Sequence, residues 1–189
     1  MIKQNNRGFT LIELLIVVAI IAILAAIAIP NFLAAQTRSK VSRVRSELRS
    51  MATAIEAYNV DNTSYPLTTP WPGDPLDPSG ILPKQLSTPV AYISNARPID
   101  VFSQYGTAAD EKVYTYHNIV WNMWSQQYLE AYGAWRMCSI GPDMRYWNTP
   151  GNVASWRQVI EYDPSNGTIS LGNLWRSQKH SDPYEWQPI

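Results

Sequence analysis

Glu13 stands four residues after Phe9, in the string Arg7-Gly8-Phe9-Thr10-Leu11-Ile12-Glu13. Gly8 is small and sits at the boundary between polar and apolar sequence, where a membrane peptidase can approach the backbone. Cutting after Gly8 frees an α-amine on Phe9. That ammonium and the Glu13 carboxylate attract strongly at membrane depth, where water is scarce and the dielectric low. A lone acid at the centre of a spanning helix costs roughly 2.5–3.5 kcal/mol on insertion scales, and somewhat less near the edge. Glu13 therefore calls for a partner.

The element that must position these groups follows at once. From Leu14 to Ile29 there are sixteen consecutive residues drawn only from Ala, Val, Ile and Leu. With Phe9–Glu13 the run reaches about twenty residues, roughly the 30 Å a helix needs to cross a bilayer core. Lys3 and Arg7 precede it, and positive charge before a first span keeps that end in the cytoplasm. The remainder is then expected outside.

Pro30 ends the apolar run, removing a backbone donor and crowding the Ala26 carbonyl. Helical periodicity nevertheless continues. Val41, Val44, Leu48, Met51, Ile55 and Tyr58 are spaced 3, 4, 3, 4, 3, an apolar stripe with Arg38, Lys40, Arg43, Arg45, Glu47 and Arg49 largely off it. The spacing predicts one long helix from about Thr10 to Tyr58, bent or weakened near Pro30 and closed by Asp61 and Asn62. Two simpler readings of this half are an ordinary secretory signal cut at Ala26-Ile27-Ala28 and a plain signal anchor with an incidental acid. Neither accounts for the amphipathic continuation beyond Pro30.

Gly8-Phe9-Thr10-Leu11-Ile12-Glu13 running into an apolar helix resembles the class III signal of type IV pilins and type II secretion pseudopilins, in register through Pro30 to about Leu67. The resemblance implies a leader over 1–8, cleavage after Gly8 by a prepilin peptidase, and N-methylation of Phe9 by the same peptidase/methyltransferase. It implies a membrane or filament-core helix over 9–30 and an amphipathic helix over 31–62. In the fibre, Glu13 answers the Phe9 amine of a neighbouring copy, and the helix loosens just before Pro30. The expected seat is the bacterial inner membrane in a single pass, N-terminus cytoplasmic and head periplasmic, with an extracytoplasmic filament after assembly. The expected partners are other copies of the chain, minor pseudopilins, an inner-membrane platform, a secretion ATPase and membrane lipid. No nucleic acid is expected. Packing many such helices into a fibre reburies the apolar surface, and a heterologous, open contact yields a helix of subunits.

The head, 63–189, begins with a Pro-rich stretch. Eight of the fourteen prolines fall in 63–98, which predicts an ordered loop or turns, with a short helix around Pro83–Leu86. Strand signals cover Val113–Val120 and Ala134–Ile140. Gln158–Tyr162 and Thr168–Leu171 flank Asn166-Gly167, a hairpin signal. Trp121–Tyr132 reads as a helix or a wide loop. The fold class is thus α+β: a long N-terminal helix, membrane half plus amphipathic half, packed on a small antiparallel sheet of three or four strands.

Composition excludes several classes. Eight Trp, 11 Tyr and 3 Phe in 189 residues rule out a disordered chain. Cys138 is the single cysteine and His117 and His180 the only histidines, so neither an internal disulfide nor a His/Cys metal site is expected. The net charge of zero hides an asymmetry: residues 1–61 carry +3 and residues 62–189 carry −3. The basic residues from Arg38 to Arg49 are read as a solvated face or as partners for acids of an adjacent subunit, with anionic lipid or DNA as the alternative. Within the resembling family, Ser139-Ile140-Gly141-Pro142-Asp143 is similar to a segment of major pseudopilins that lies in a calcium loop. The companion glycines and second Asp are missing, so Asp143 is read first as a turn residue and only secondarily as a calcium ligand. The cysteine pair of many type IV pilins is also missing. No nucleophile–base pair or phosphate loop is visible, and no enzyme is expected. The leading expectation is a structural subunit of a type II secretion-like pseudopilus. The alternatives are a type IV pilin for adhesion, motility or DNA uptake, and a monomeric membrane-anchored glycan-binding domain using its tryptophans.

Overall fold

A computed structural model of the chain describes residues 9–70, 80–103, 112–121, 126–144, 162–163 and 172–180. A single helix, α1 (Leu11–Asn62, 52 residues), is followed by short strands β1 (Thr69–Pro70) and β2 (Gly80–Ile81) and a 3-10 turn (Lys84–Leu86). Then come β3 (Thr115–Asn118), α2 (Gln126–Tyr132), β4 (Trp135–Ser139) and β5 (Leu174–Ser177).

At 1.5 Å per residue the 52 residues of α1 span about 78 Å. It is helical through Pro30 and ends at Thr63, whose backbone turns left-handed with φ 53°. Its two halves have opposite environments. Every large apolar side chain from Phe9 to Leu33 is exposed, whereas Val41, Val44, Leu48, Met51, Ala52, Ala54 and Ile55 are buried. The stripe read from the spacing is therefore the face that meets the head. Each such Val, Leu or Ile contributes roughly 1.5–3 kcal/mol by leaving water. The first half obtains nothing of the kind within one subunit.

Among the described residues the sheet runs in the order β1-β2-β3-β4-β5 with every pair antiparallel. Alternation along the strands sends Tyr114, Tyr116, Trp135, Met137 and Leu174 into one cluster with Val44, Leu48, Met51 and Ile55 of α1. The opposite face carries Thr115, His117, Arg136, Cys138 and Ser177, all buried. There the Arg136 guanidinium lies 5.0 Å from the Tyr132 ring centre and 5.9 Å from that of Tyr128, both on α2. α2 thus covers the second face.

The fold class read from sequence is the observed one, with differences of detail. The Pro-rich stretch contributes β1 and β2, two residues each, too short for alternation to register. Gly80 permits this pairing, since a Cβ there would come within 2.2 Å of the Thr69 carbonyl oxygen. The strands expected over Val113–Val120 and Ala134–Ile140 shorten to β3 and β4, with Val113 only bridged to Ile99. Trp121–Tyr132 resolves in favour of helix from Gln126 onward. The hairpin expected around Asn166-Gly167 lies outside the described residues, except that the Tyr162 amide donates to the Asn173 carbonyl at 3.1 Å. β5 was not expected at all.

Candidate assembly site

Thr10 starts α1 because its backbone is extended (φ −85°, ψ 150°) and its side chain caps the first turn. The Glu13 amide donates to Thr10 Oγ1 at 3.3 Å. In return, the Glu13 carboxylate accepts from the Thr10 amide at 2.9 Å and from the Thr10 hydroxyl at 2.6 Å. This is a capping box, satisfying donors that a helix start would otherwise leave open. A carboxylate in the first turn also faces the positive end of the helix dipole. Glu13 is thus held in the first turn of α1, four residues after Phe9, which is 76% exposed. Gly8 lies outside the described residues. Pro30 is exposed within α1. The Thr-x-x-Glu spacing of Thr10 and Glu13 is itself a capping-box signal.

The head is fastened to α1 by two carboxylates that spacing alone did not single out. Glu47 accepts from the Tyr114 hydroxyl. Glu56 accepts from Trp135 Nε1 at 2.8 Å and from the Tyr65 hydroxyl at 3.1 Å. Gln178 Nε2 then donates to the Tyr65 oxygen at 2.6 Å, and Gln178 Oε1 accepts from the Ala134 amide at 2.6 Å. Burial, and then the Glu47 hydrogen bond, push the Tyr114 phenol far above its ordinary value, so it remains a neutral donor. At the helix end, Tyr92 donates to Asp61 at 2.9 Å and meets Tyr58 edge-on at 5.5 Å.

Asp143 lies in the turn Gly141–Met144 after β4, where its carboxylate accepts from the Gly172 amide at 3.3 Å. Gly141 has φ 82°, and a Cβ there would sit 2.2 Å from the Gly172 carbonyl oxygen. The segment is further pinned by Asn173 Nδ2, which donates to the Ile140 carbonyl at 2.7 Å. Buried Asp100 accepts from the Ile140 amide at 3.0 Å and from the Phe102 amide at 3.0 Å. Among the described residues no group of three or more His, Cys, Asp or Glu is placed to hold a metal ion. His117 is fully buried in β3, and His180 Nε2 lies 2.9 Å from the Ala131 carbonyl oxygen.

A capped apolar helix whose first half is bare, carrying an antiparallel head on its second half, is a pilin-like α+β arrangement. Residues 3–29 match the prokaryotic N-terminal methylation motif. The chain is 57% identical over 63 residues to the type IV major pilin protein PilA of Myxococcus xanthus, covering 33% of this chain and 29% of that protein. It is 55% identical over 62 residues to the type IV wide pilus major component PilA4 of Thermus thermophilus, covering 33% and 47%. It is 37% identical over 66 residues to the type II secretion system core protein G of Pseudomonas aeruginosa, covering 35% and 46%. The chain thus spans less than half the length of these relatives. No solved structure matches the chain.

Proposed function

We propose that this protein is a structural subunit of a helical filament rooted in the bacterial inner membrane, of the pseudopilus kind that serves a type II secretion-like machine. The observation that carries the reading is the bare apolar half of α1, entered through a carboxylate at Glu13. Such a surface is stable only in lipid or among like helices. In this reading a peptidase removes residues 1–8 on the cytoplasmic side, Phe9 is N-methylated, and the head projects into the periplasm. Extraction into the fibre reburies the apolar helix. The Phe9 ammonium of one copy then meets Glu13 of another, and that buried pair sets a single axial stagger. The platform, the ATPase and the minor subunits that drive extension are separate proteins.

The type IV pilus is a second reading, favoured by the higher identities of 57% and 55% to pilins against 37% to core protein G. The pseudopilus reading is favoured by the single cysteine, since a loop-closing pair is lacking. Mass spectrometry of protein from fibres should give an N-terminus at methyl-Phe9. Glu13→Val should insert in the membrane normally and assemble poorly. Fibres built from uncleaved chains would end the filament reading as stated. A host lacking the protein should lose protein export with surface motility intact, whereas the converse phenotype would select the pilus.

A further inference from the structure

The two flanks of α1 beside the head differ in how their charges are met. On the β3 side, Arg43 pairs with Glu47 at 2.8 Å, and Glu47 also takes the Tyr114 hydroxyl. That flank neutralises itself. On the β5 side, helical periodicity aligns Arg38, Arg45 and Arg49 on one flank. Among the described residues none of these three has an ion pair, and the Arg45 Nε and Nη2 donors are buried without a partner. The result is a stripe of guanidinium groups about 16 Å long on α1, from Arg38 to Arg49.

Two partners present anions suited to such forks, lipid phosphates and carboxylates. Distance decides between them. The last exposed large apolar residue of the bare half is Leu33, and Arg45 and Arg49 lie 12 and 16 residues further on. Those steps are roughly 18 and 24 Å along the helix, whereas the headgroup layer on each side of a bilayer is only about 5–8 Å thick. Arg45 and Arg49 therefore stand clear of phosphates when α1 follows the membrane normal. Carboxylates are supplied by the chain itself, since residues 62–189 hold eleven Asp/Glu against eight Lys/Arg. We propose that the Arg38–Arg45–Arg49 flank of α1 is the docking surface for the acidic head of a second copy of this chain. The proposal rests on the filament reading and adds to it an electrostatic contact, outside the membrane, that is independent of Glu13.

The test uses the full chain, co-expressed with a prepilin peptidase and assembly machinery. A photo-crosslinking p-benzoylphenylalanine replaces exposed Ser42, which lies between Arg38, Arg45 and Arg49 on the helix surface. Ultraviolet light should yield an adduct of two-subunit mass. Separately, Arg38→Glu/Arg49→Glu should lower fibre yield by roughly tenfold or more, because like charges brought together across an interface are strongly disfavoured. Membrane insertion and protease resistance of the head should stay as in the parent, and Arg38→Lys/Arg49→Lys should recover most of the yield. Fibres at parental yield from the Glu variant, without a two-subunit adduct at Ser42, overturn the proposal and leave the filament reading standing. Adducts to lipid alone overturn it in favour of headgroup binding. A two-subunit adduct without fibres from the parent keeps the stripe and removes the filament reading. Neither fibres nor adduct removes both.

Discussion

The Glu13 carboxylate accepts from both the amide and the hydroxyl of Thr10, at 2.9 and 2.6 Å. The acid that a neighbour's amine is expected to meet is therefore already satisfied inside its own subunit. This lowers the cost of holding it near the membrane before assembly. It also fixes the carboxylate at the helix entrance, so assembly has to exchange or share an existing contact.

Thr10→Ala removes the capping hydroxyl and should weaken the first turn of α1 by about 1 kcal/mol. Amide exchange of the residues just after Thr10, in detergent micelles, should accelerate several-fold, while exchange in the Val41–Ile55 region stays unchanged. Thr10→Ser should behave as the parent. Equal protection in all three would show that the cap contributes nothing.

Glu56→Ala should destabilise the head by about 2 kcal/mol, since it strands the buried indole N–H of Trp135 and frees the Tyr65 hydroxyl. Glu56→Gln, which keeps an acceptor, should cost less. Urea unfolding of the full chain in detergent, followed by near-ultraviolet circular dichroism, reads both. A parental midpoint for Glu56→Ala would mean that the apolar stripe alone holds the head.

His117 should make the head acid-sensitive. Burial, and then the Arg136 charge, lower its pKa well below the ordinary value. The unfolded histidine takes a proton near pH 6.5 while the folded one refuses it, so stability falls as pH drops below about 6.5, by at most ~1.4 kcal/mol per pH unit. The stability difference between parent and His117→Asn should shrink from pH 7.5 towards pH 5. A constant difference would mean that the folded ring titrates normally.

Asp100 carries the opposite sign. Burial lifts its carboxyl above the ordinary value, although the Phe102 amide, the Ser139 side chain and the Ile140 amide all donate to it. The folded state then holds a proton to higher pH than the unfolded chain, which favours folding in acid and is lost as pH rises through the folded pKa. Asp100→Asn removes this dependence. The parent should exceed the variant in stability by more at pH 4 than at pH 7, again by urea titration. A larger excess at pH 7 would mean that the three donors outweigh burial.

Much of the molecule was legible without coordinates. Sixteen consecutive apolar residues state a span, the 3–4 spacing of Val41 to Tyr58 states a buried face, and Glu13 states an acid at the span's entrance. Each is written in neighbours or near-neighbours along one helix, where geometry is periodic and known in advance. The antiparallel head was legible only in outline, because strands of two to five residues hold too few alternations to fix their ends.

Other features needed the chain to close on itself. Glu47 meets Tyr114 across 67 residues and Glu56 meets Trp135 across 79, and no local spacing encodes such pairings. Arg136 reads as a surface residue by type, yet it is fully buried between His117 on the neighbouring strand and the rings of α2. In the basic run after Arg38, the Arg43–Glu47 pair is an i, i+4 contact that helix spacing already offers, whereas the burial of the Arg45 donors without a partner depends on the fold. Sequence by itself determined what lies along the helix; the tertiary structure decided what stands against it, because contact across the sheet depends on distances in space that one-dimensional order does not contain.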